Sequence, residues 1–385
     1  MPVLGSSLLS SVFTSFFYLI MVWTFASQPA LLGIVIAAYE LTPNVLGIAW
    51  AWLRLPFTSI QQLQLGWLLR IGGTFLLLDV NNLVIKVVGI IIVAVTPTIV
   101  SSLEKASLTI SDSSTSTMMN KFVWISQIQQ VTSLFSPILA GYFISQHSTV
   151  LLTVIMVVIS LLGLFVSNFF PISTTIRDKT MTQDKRRWRF PNNPVVILVV
   201  TLMFLGNLVL WGPTAIAVPT FFQQSHMSAT DLGLVLTCGK VGTLLGLQLL
   251  RKFQVGIKQM APSLAFALAL YSSGYIVLGI FAPRQVLWWG VVIVIINAVE
   301  SVIAPFLNTL ISFFYPNVQK RAGTMSTVVS LGNLGEPIGS LITGILIVDA
   351  AASLRIIGIL GSAIGLIFAV LLVRQVKNLS EEYAK

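Results

Sequence analysis

The chain alternates between long apolar runs and short polar breaks. Each run holds about 20 residues with few charges, the length that crosses a ~30 Å hydrocarbon layer as a helix. Read between turn and charge signals, the crossings fall at 7–27, 30–53, 60–79, 83–103, 118–144, 149–170, 194–222, 227–250, 260–282, 286–312, 320–347 and 351–374. The pattern predicts an all-α integral membrane protein with twelve transmembrane helices. The third crossing is the weakest, because Gln61, Gln62, Gln64 and Arg70 dilute it. The longest polar stretch, Pro171–Asn193, carries Arg177, Lys179, Lys185, Arg186, Arg187 and Arg189 against Asp178 and Asp184. It divides the chain into an N-terminal six-helix bundle (1–170), a basic linker (171–193) and a C-terminal six-helix bundle (194–385).

The two halves read alike. Leu-Gly-Ile-Val-Ile at 32–36 matches Leu-Gly-Leu-Val-Leu at 232–236, an offset of 200. The same offset lays Lys121, Ser126, Leu134, Pro137 and Ile138 on Arg321, Ser326, Leu334, Pro337 and Ile338. Pro97 and Pro305 correspond at a slightly different offset. Leucine matches are common in membrane helices, but paired prolines and a paired basic-to-proline spacing are not. Pro137 and Pro337 are therefore candidate kinks at matched points. A parallel repeat of this kind places a ligand site at the bilayer midplane, between halves that rock.

Composition narrows the class further. Of 385 residues, 56% are apolar and 9% charged, where soluble domains carry about 25% charged residues. With a mean hydropathy of +0.92, a soluble enzyme, a disordered tail and a disulfide scaffold are excluded. The lone cysteine, Cys238, forbids an internal disulfide or a CxxC pair, and His147 and His226 are far apart, so no metal site and no cofactor are expected. No nucleophile–base cluster points to an enzyme, and no G-x-x-x-x-G-K-[ST] run points to ATP. Residues 1–27 lack an N-terminal basic region and a small-residue cleavage site, so they read as a retained first helix.

The formal charge of +10 is a topology signal. With the N-terminus inside, Arg54, Lys105, Lys121, the six basic residues of the linker, Arg251, Lys252, Lys258, Lys320, Arg321, Arg374, Lys377 and Lys385 all lie on the inner side. The outer side keeps Lys86, Arg284 and Arg355, so seventeen stand against three. Both termini are expected in the cytoplasm of a cell whose plasma membrane holds the protein. The basic balance then needs no nucleic acid.

Several motifs resemble the major facilitator superfamily, nearest its macrolide-efflux and siderophore-exporter branch. They are Ser126-Gln127-Ile128-Gln129-Gln130 with Ser136-Pro137-Ile138-Leu139-Ala140-Gly141, Arg321-Ala322-Gly323 with Gly335-Glu336-Pro337-Ile338-Gly339, and Gly239-Lys240-Val241-Gly242 with Gly246. The resemblance implies the twelve-helix, two-bundle transporter fold, a monomer and a small-molecule substrate. It departs at the loop after the second crossing, where the family signature G-x-L-x-D-R-x-G-R-R/K retains only Arg54. Gly66-Trp67-Leu68-Leu69-Arg70-Ile71-Gly72 looks like a rival copy, but a loop there spoils the helix count. The repeat equivalent has Gly246, Arg251 and Lys252 without the acid. Arg54 and Arg251 are the gating candidates.

An ionisable residue at mid-bilayer costs at least about 2.5–3.5 kcal/mol on insertion scales, so each is a functional candidate. Glu40, Lys240, Glu300 and Glu336 all fall in the middle third of their crossings. The resemblance implies that crossing 2 borders 11 and crossing 8 borders 5, so Glu40 approaches Glu336 and Lys240 faces the Gln127 and Gln130 side. Two neighbouring carboxyls in low dielectric cannot both stay ionised cheaply, which is what proton coupling requires. A structural ion pair of Glu40 with Lys240 is the plainer alternative, and Lys240 either neutralises a glutamate or binds an anionic substrate group. Gln127 and Gln130, with Trp124, Asn207, Trp211 and Asn297, are the expected cavity lining; the terminal tryptophans Trp50, Trp52, Trp288 and Trp289 suit an interfacial belt. The expected function is proton-coupled export of a small amphipathic molecule or drug by alternating access, with a lipid or lysolipid flippase as the alternative.

Overall fold

The computed structural model describes residues 2–52, 59–78, 82–108, 127–146, 148–169, 193–252, 257–281, 285–314 and 328–382. Arg54, Trp124, His147 and the linker 171–192 lie outside them, as do Lys121 and Ser126. Helices in chain order are α1 (Pro2–Phe25), α2 (Pro29–Trp52), α3 (Ser59–Leu78), α4 (Leu83–Leu108), α5 (Ser136–Ser145), α6 (Thr149–Ser167) and α7 (Pro194–Gly206). There follow α8 (Gly212–Gln224), α9 (Ala229–Lys252), α10 (Ile257–Phe281), α11 (Val286–Glu300), α12 (Ile303–Phe314), α13 (Gly335–Leu346) and α14 (Ala350–Glu382). Among the described residues there is no strand.

Among the described residues, six segments are long and apolar enough to cross a membrane: Gly5–Phe25, Pro194–Gln224, Ala229–Leu250, Gln259–Phe281, Val286–Ile311 and Ala350–Lys377. Shorter apolar helices run over Pro29–Val45, Leu83–Pro97 and Leu151–Ser167. Their outward faces are hydrocarbon-like, as at Phe165, Leu287, Ile295, Ile345 and Leu346, all exposed. In lipid such faces are solvated, and the polar backbone is satisfied within each helix.

Two crossings that the sequence reads as regular helices are locally irregular. The seventh passes from α7 through a π-helical turn, Asn207–Trp211, into α8. Pro213 has no N–H to donate back, and its ring crowds the preceding turn. The tenth breaks at residues 301–302, between α11 and α12, one turn before Pro305. The helix at 127–132 is likewise interrupted at 133–135, ahead of Pro137, and the helix from 328 has its turn residue at Leu334, ahead of Pro337.

The helices up to Ser167 pack mainly on one another, and those from Pro194 onward do the same. The halves meet along two seams, α2 against α13 and α5 against α9. Both seams are tight because glycines let backbones touch. A Cβ on Gly33 would lie 2.8 Å from the Ser340 carbonyl oxygen and 3.0 Å from Gly344 Cα. At the other seam, a Cβ on Gly233 would strike the Pro137 carbonyl, and one on Gly141 the Ala229 carbonyl. Thr230 Oγ1 and Ser145 Oγ, 3.0 Å apart, bridge the same seam. All these contacts lie at one end of the molecule, where the turns at 26–28, 225–228 and 347–349 gather and Gln224 Nε2 donates to the Val348 carbonyl. That end is shut.

Candidate functional site: a cavity between the two halves

Beneath the closed seams lies a cavity of about 410 Å³ lined by Thr14, Ser15, Tyr18, Tyr39, Glu40, Pro43, Ala94, Pro97, Pro137, Leu236 and Lys240. Helices of both halves contribute to it. The backbone explains why Glu40 and Lys240 share it. Each lies seven residues beyond a seam glycine, Gly33 in α2 and Gly233 in α9. Seven residues are two helical turns, so each ionisable side chain sits on the seam-facing side, about 10 Å deeper than the glycine. One helix comes from each half, so the acid and the amine reach the cavity from different halves.

Lys240 is held by hydroxyls. Its Nζ donates to Ser133 Oγ at 2.7 Å and to Ser15 Oγ at 3.0 Å. Each serine in turn donates its own proton to the carbonyl one turn back, Ser133 to Gln129 and Ser15 to Ser11. Their lone pairs are therefore oriented as acceptors before the ammonium arrives. An ammonium has three hydrogens, and these bonds use two. Both acceptors are neutral, so Lys240 is not the structural partner of Glu40. It reaches the helix before Pro137, but at Ser133 and not at the glutamines. Gln127 lines a separate groove of about 260 Å³ with Ile128, Val131, Thr132, Leu244 and Gln248, and Gln130 lines neither space.

Glu40 and Glu336 are electrostatic neighbours across the α2–α13 seam, and Tyr18 of α1 feels both. Glu336 opens α13 and packs its backbone on α8, where a Cβ on Gly212 would meet the Glu336 carbonyl. Glu300, at the end of α11, faces a buried pair of phenols in α10. Tyr271 and Tyr275 share a hydrogen bond of 2.9 Å, Trp211 stacks on Tyr271 with ring centres 5.9 Å apart, and Thr214 bonds Tyr275. The tyrosines were not singled out in the sequence, where two phenols one turn apart look like ordinary membrane aromatics.

Three expected lining residues do other work. Asn207 Nδ2 donates to the Met203 and Gly332 carbonyls, each at 3.0 Å, and ties the π turn to the segment before α13. Trp211 is the lid of the tyrosine pair. Asn297 donates to the Ile293 carbonyl at 2.9 Å, on its own helix. Pro137 does line the cavity, Pro337 is buried in α13, and Arg251 lies near the end of α9.

The sequence reading also overlooked a buried cation. Arg70 is 1% exposed inside the N-terminal half. Its Nε donates to Thr96 Oγ1 at 3.0 Å and Nη2 to Ser10 Oγ at 2.7 Å, and its guanidinium lies 4.3 Å from the Trp67 ring and 4.9 Å from that of Phe13. Phe13 stacks on Phe17, and Phe17 on Tyr39, so this packing reaches the cavity wall.

No protein-family model matches the chain, and no curated protein matches it in sequence. Solved structures do match in shape. A POT family transporter in complex with a thioalcohol-conjugated peptide aligns with a TM-score of 0.72 at 12% identity, over 97% of this chain and 96% of that one. The fold is the major facilitator fold. The D-xylose–proton symporter aligns with a TM-score of 0.70 at 15% identity, over 95% and 96% of the two chains. A point mutant of the nucleoside transporter NupG aligns with a TM-score of 0.67 at 15% identity, over 97% and 98%. In the major facilitator fold seen here, the seams and the cavity fall where the two halves face each other, and these solved relatives in shape are transporters, not enzymes.

Proposed function

We propose that the protein is a secondary active transporter with twelve membrane crossings, a proton-coupled exporter of a small amphipathic molecule working by alternating access. The observation that carries this reading is the placement of Glu40 and Glu336 on either side of a seam that borders a cavity built by both halves. Two carboxylates so placed repel, and a proton or a cation on either one removes the repulsion. A cationic group of the substrate and a proton therefore compete for one acidic pole. Competition for a shared site is the chemistry of exchange, proton inward and substrate outward. The solved structures supply fold-level support, since the xylose protein among them is a proton symporter. With positive loops inside, the end where the seams meet faces outward.

The test is accumulation of a panel of amphipathic compounds in cells that overproduce the chain. Wild type lowers accumulation of at least one compound, a protonophore abolishes the effect, and Glu336→Gln reduces it at least tenfold at equal membrane abundance. Export that persists undiminished in Glu336→Gln removes this glutamate from the coupling.

A second reading, lateral transfer of a lipid, draws on the groove between residues 127–132 and α9. Gln127 and Gln248 give it a polar strip, and Val131 among its lining residues is exposed. A fluorescent lysolipid flipped in proteoliposomes, and not in Gln248→Leu, favours that reading over the first.

A further inference from the structure

We propose that the substrate is a zwitterion of amino-acid to dipeptide size, its carboxylate on Lys240 and its ammonium on Glu40. The proposal rests on the transport reading above and names the substrate class of that same cavity. Its basis is the presence of one amine and one carboxyl, each from a different half, in the lining of one cavity of about 410 Å³, a size within the usual small-molecule range.

Lys240 is built to receive an oxyanion. Ser15 and Ser133 fix its nitrogen from two sides with neutral acceptors, so its charge is left for a guest and its third hydrogen points to no serine. A single ammonium matches a monoanionic carboxylate in charge, with the strength of a charge-assisted bond. Among the described residues, the acid that Glu40 feels is Glu336, and two phenols, Tyr18 and Tyr39, line the cavity with it. That pole lacks a cation which the ligand supplies. Between the poles the wall is apolar: Ala94, Pro97, Pro137 and Leu236. A molecule charged at both ends and apolar between fits all three parts. A molecule with one charge leaves either the amine or the acid in low dielectric without a counter-charge, which disfavours binding. Specificity of this kind, set by buried groups that must be paired, discriminates more strongly than apolar fit.

The experiment uses the purified full chain in lipid nanodiscs and measures affinity by ligand-induced thermal shift. The probes are free amino acids and dipeptides, each beside its N-acetyl and its C-amide derivative. At least one free zwitterion is expected to bind tenfold or more tightly than both of its blocked forms. Lys240→Met should lower its affinity to that of the C-amide, and a monodisperse gel-filtration profile like the wild type's shows that the variant is folded. Glu40→Gln should do the same toward the N-acetyl form. The proposal is overturned if blocked forms bind as well as their parent, if no zwitterion binds, or if Lys240→Met binds the parent as wild type does. Binding is read at equilibrium without a gradient. Zwitterion selectivity without gradient-driven flux therefore sinks the transport reading alone, and flux without such selectivity sinks this one alone.

Discussion

A cation in the middle of a hydrocarbon layer must find acceptors or an aromatic face within reach. Lys240 finds two hydroxyls and keeps its charge available, whereas Arg70 is wrapped by Thr96, Ser10, Trp67 and Phe13. The first arrangement suits a ligand; the second suits a scaffold. Arg70→Ala removes two charged hydrogen bonds and two ring contacts and opens a void beside Trp67, a loss of about 3 kcal/mol. We expect the denaturation midpoint of the purified protein to fall accordingly, and an unchanged midpoint contradicts the scaffold role. Arg70 was hard to see in the sequence for a physical reason. The glutamines that precede it lower the apolar contrast of its crossing, so the arginine looked like dilution and not a buried group. Ser15 and Ser133 were equally silent, because serine is at home anywhere in a membrane helix that can lend it a carbonyl.

At the scale of elements, α2 and α13 approach through bare backbone, and so do α5 and α9. Gly33→Val puts a branched side chain where a Cβ alone already lies 2.8 Å from the Ser340 carbonyl. Backbone cannot yield as a flexible side chain does, so the seam has to part. A cysteine placed at the fully buried Ser340 should then react with an alkylating reagent at least tenfold faster than in the same protein without the valine. Gly72→Val, whose Cβ meets nothing within 4 Å, should leave that rate alone. The glycine pair at an offset of 200 was legible in the sequence. The breaks at 207–211 and 301–302 were not, because a proline inside an apolar run signals a weakened ladder without saying whether the helix bends, bulges or stops.

For the molecule as a whole, two similar halves close over a shared cavity at one end, with an acid pair just below the closure. The repeat suggested a cavity between the halves without giving its lining: Asn207 and Asn297 donate to backbone carbonyls, and Trp211 stacks on Tyr271. The groups around the acid pair are Tyr18 from α1, Tyr39 beside Glu40 on α2, Tyr271 from α10 and, lining the same cavity as Glu40, Lys240 from α9; the phenols carry no charge in the range where carboxyls titrate. Repulsion between Glu40 and Glu336 opposes closure of the α2–α13 seam, and a proton on either removes it. Acid therefore favours the closed arrangement, and alkali opens it. The measurement is the distance between spin labels at Gln28 and Val348, exposed positions of the two halves at the closed end, in a Cys238→Ala background reconstituted into nanodiscs. The account predicts one short distance at pH 5.5, a growing long component by pH 8, and loss of this dependence in Glu336→Gln. The same distance distribution at both pH values in the otherwise unaltered protein contradicts it.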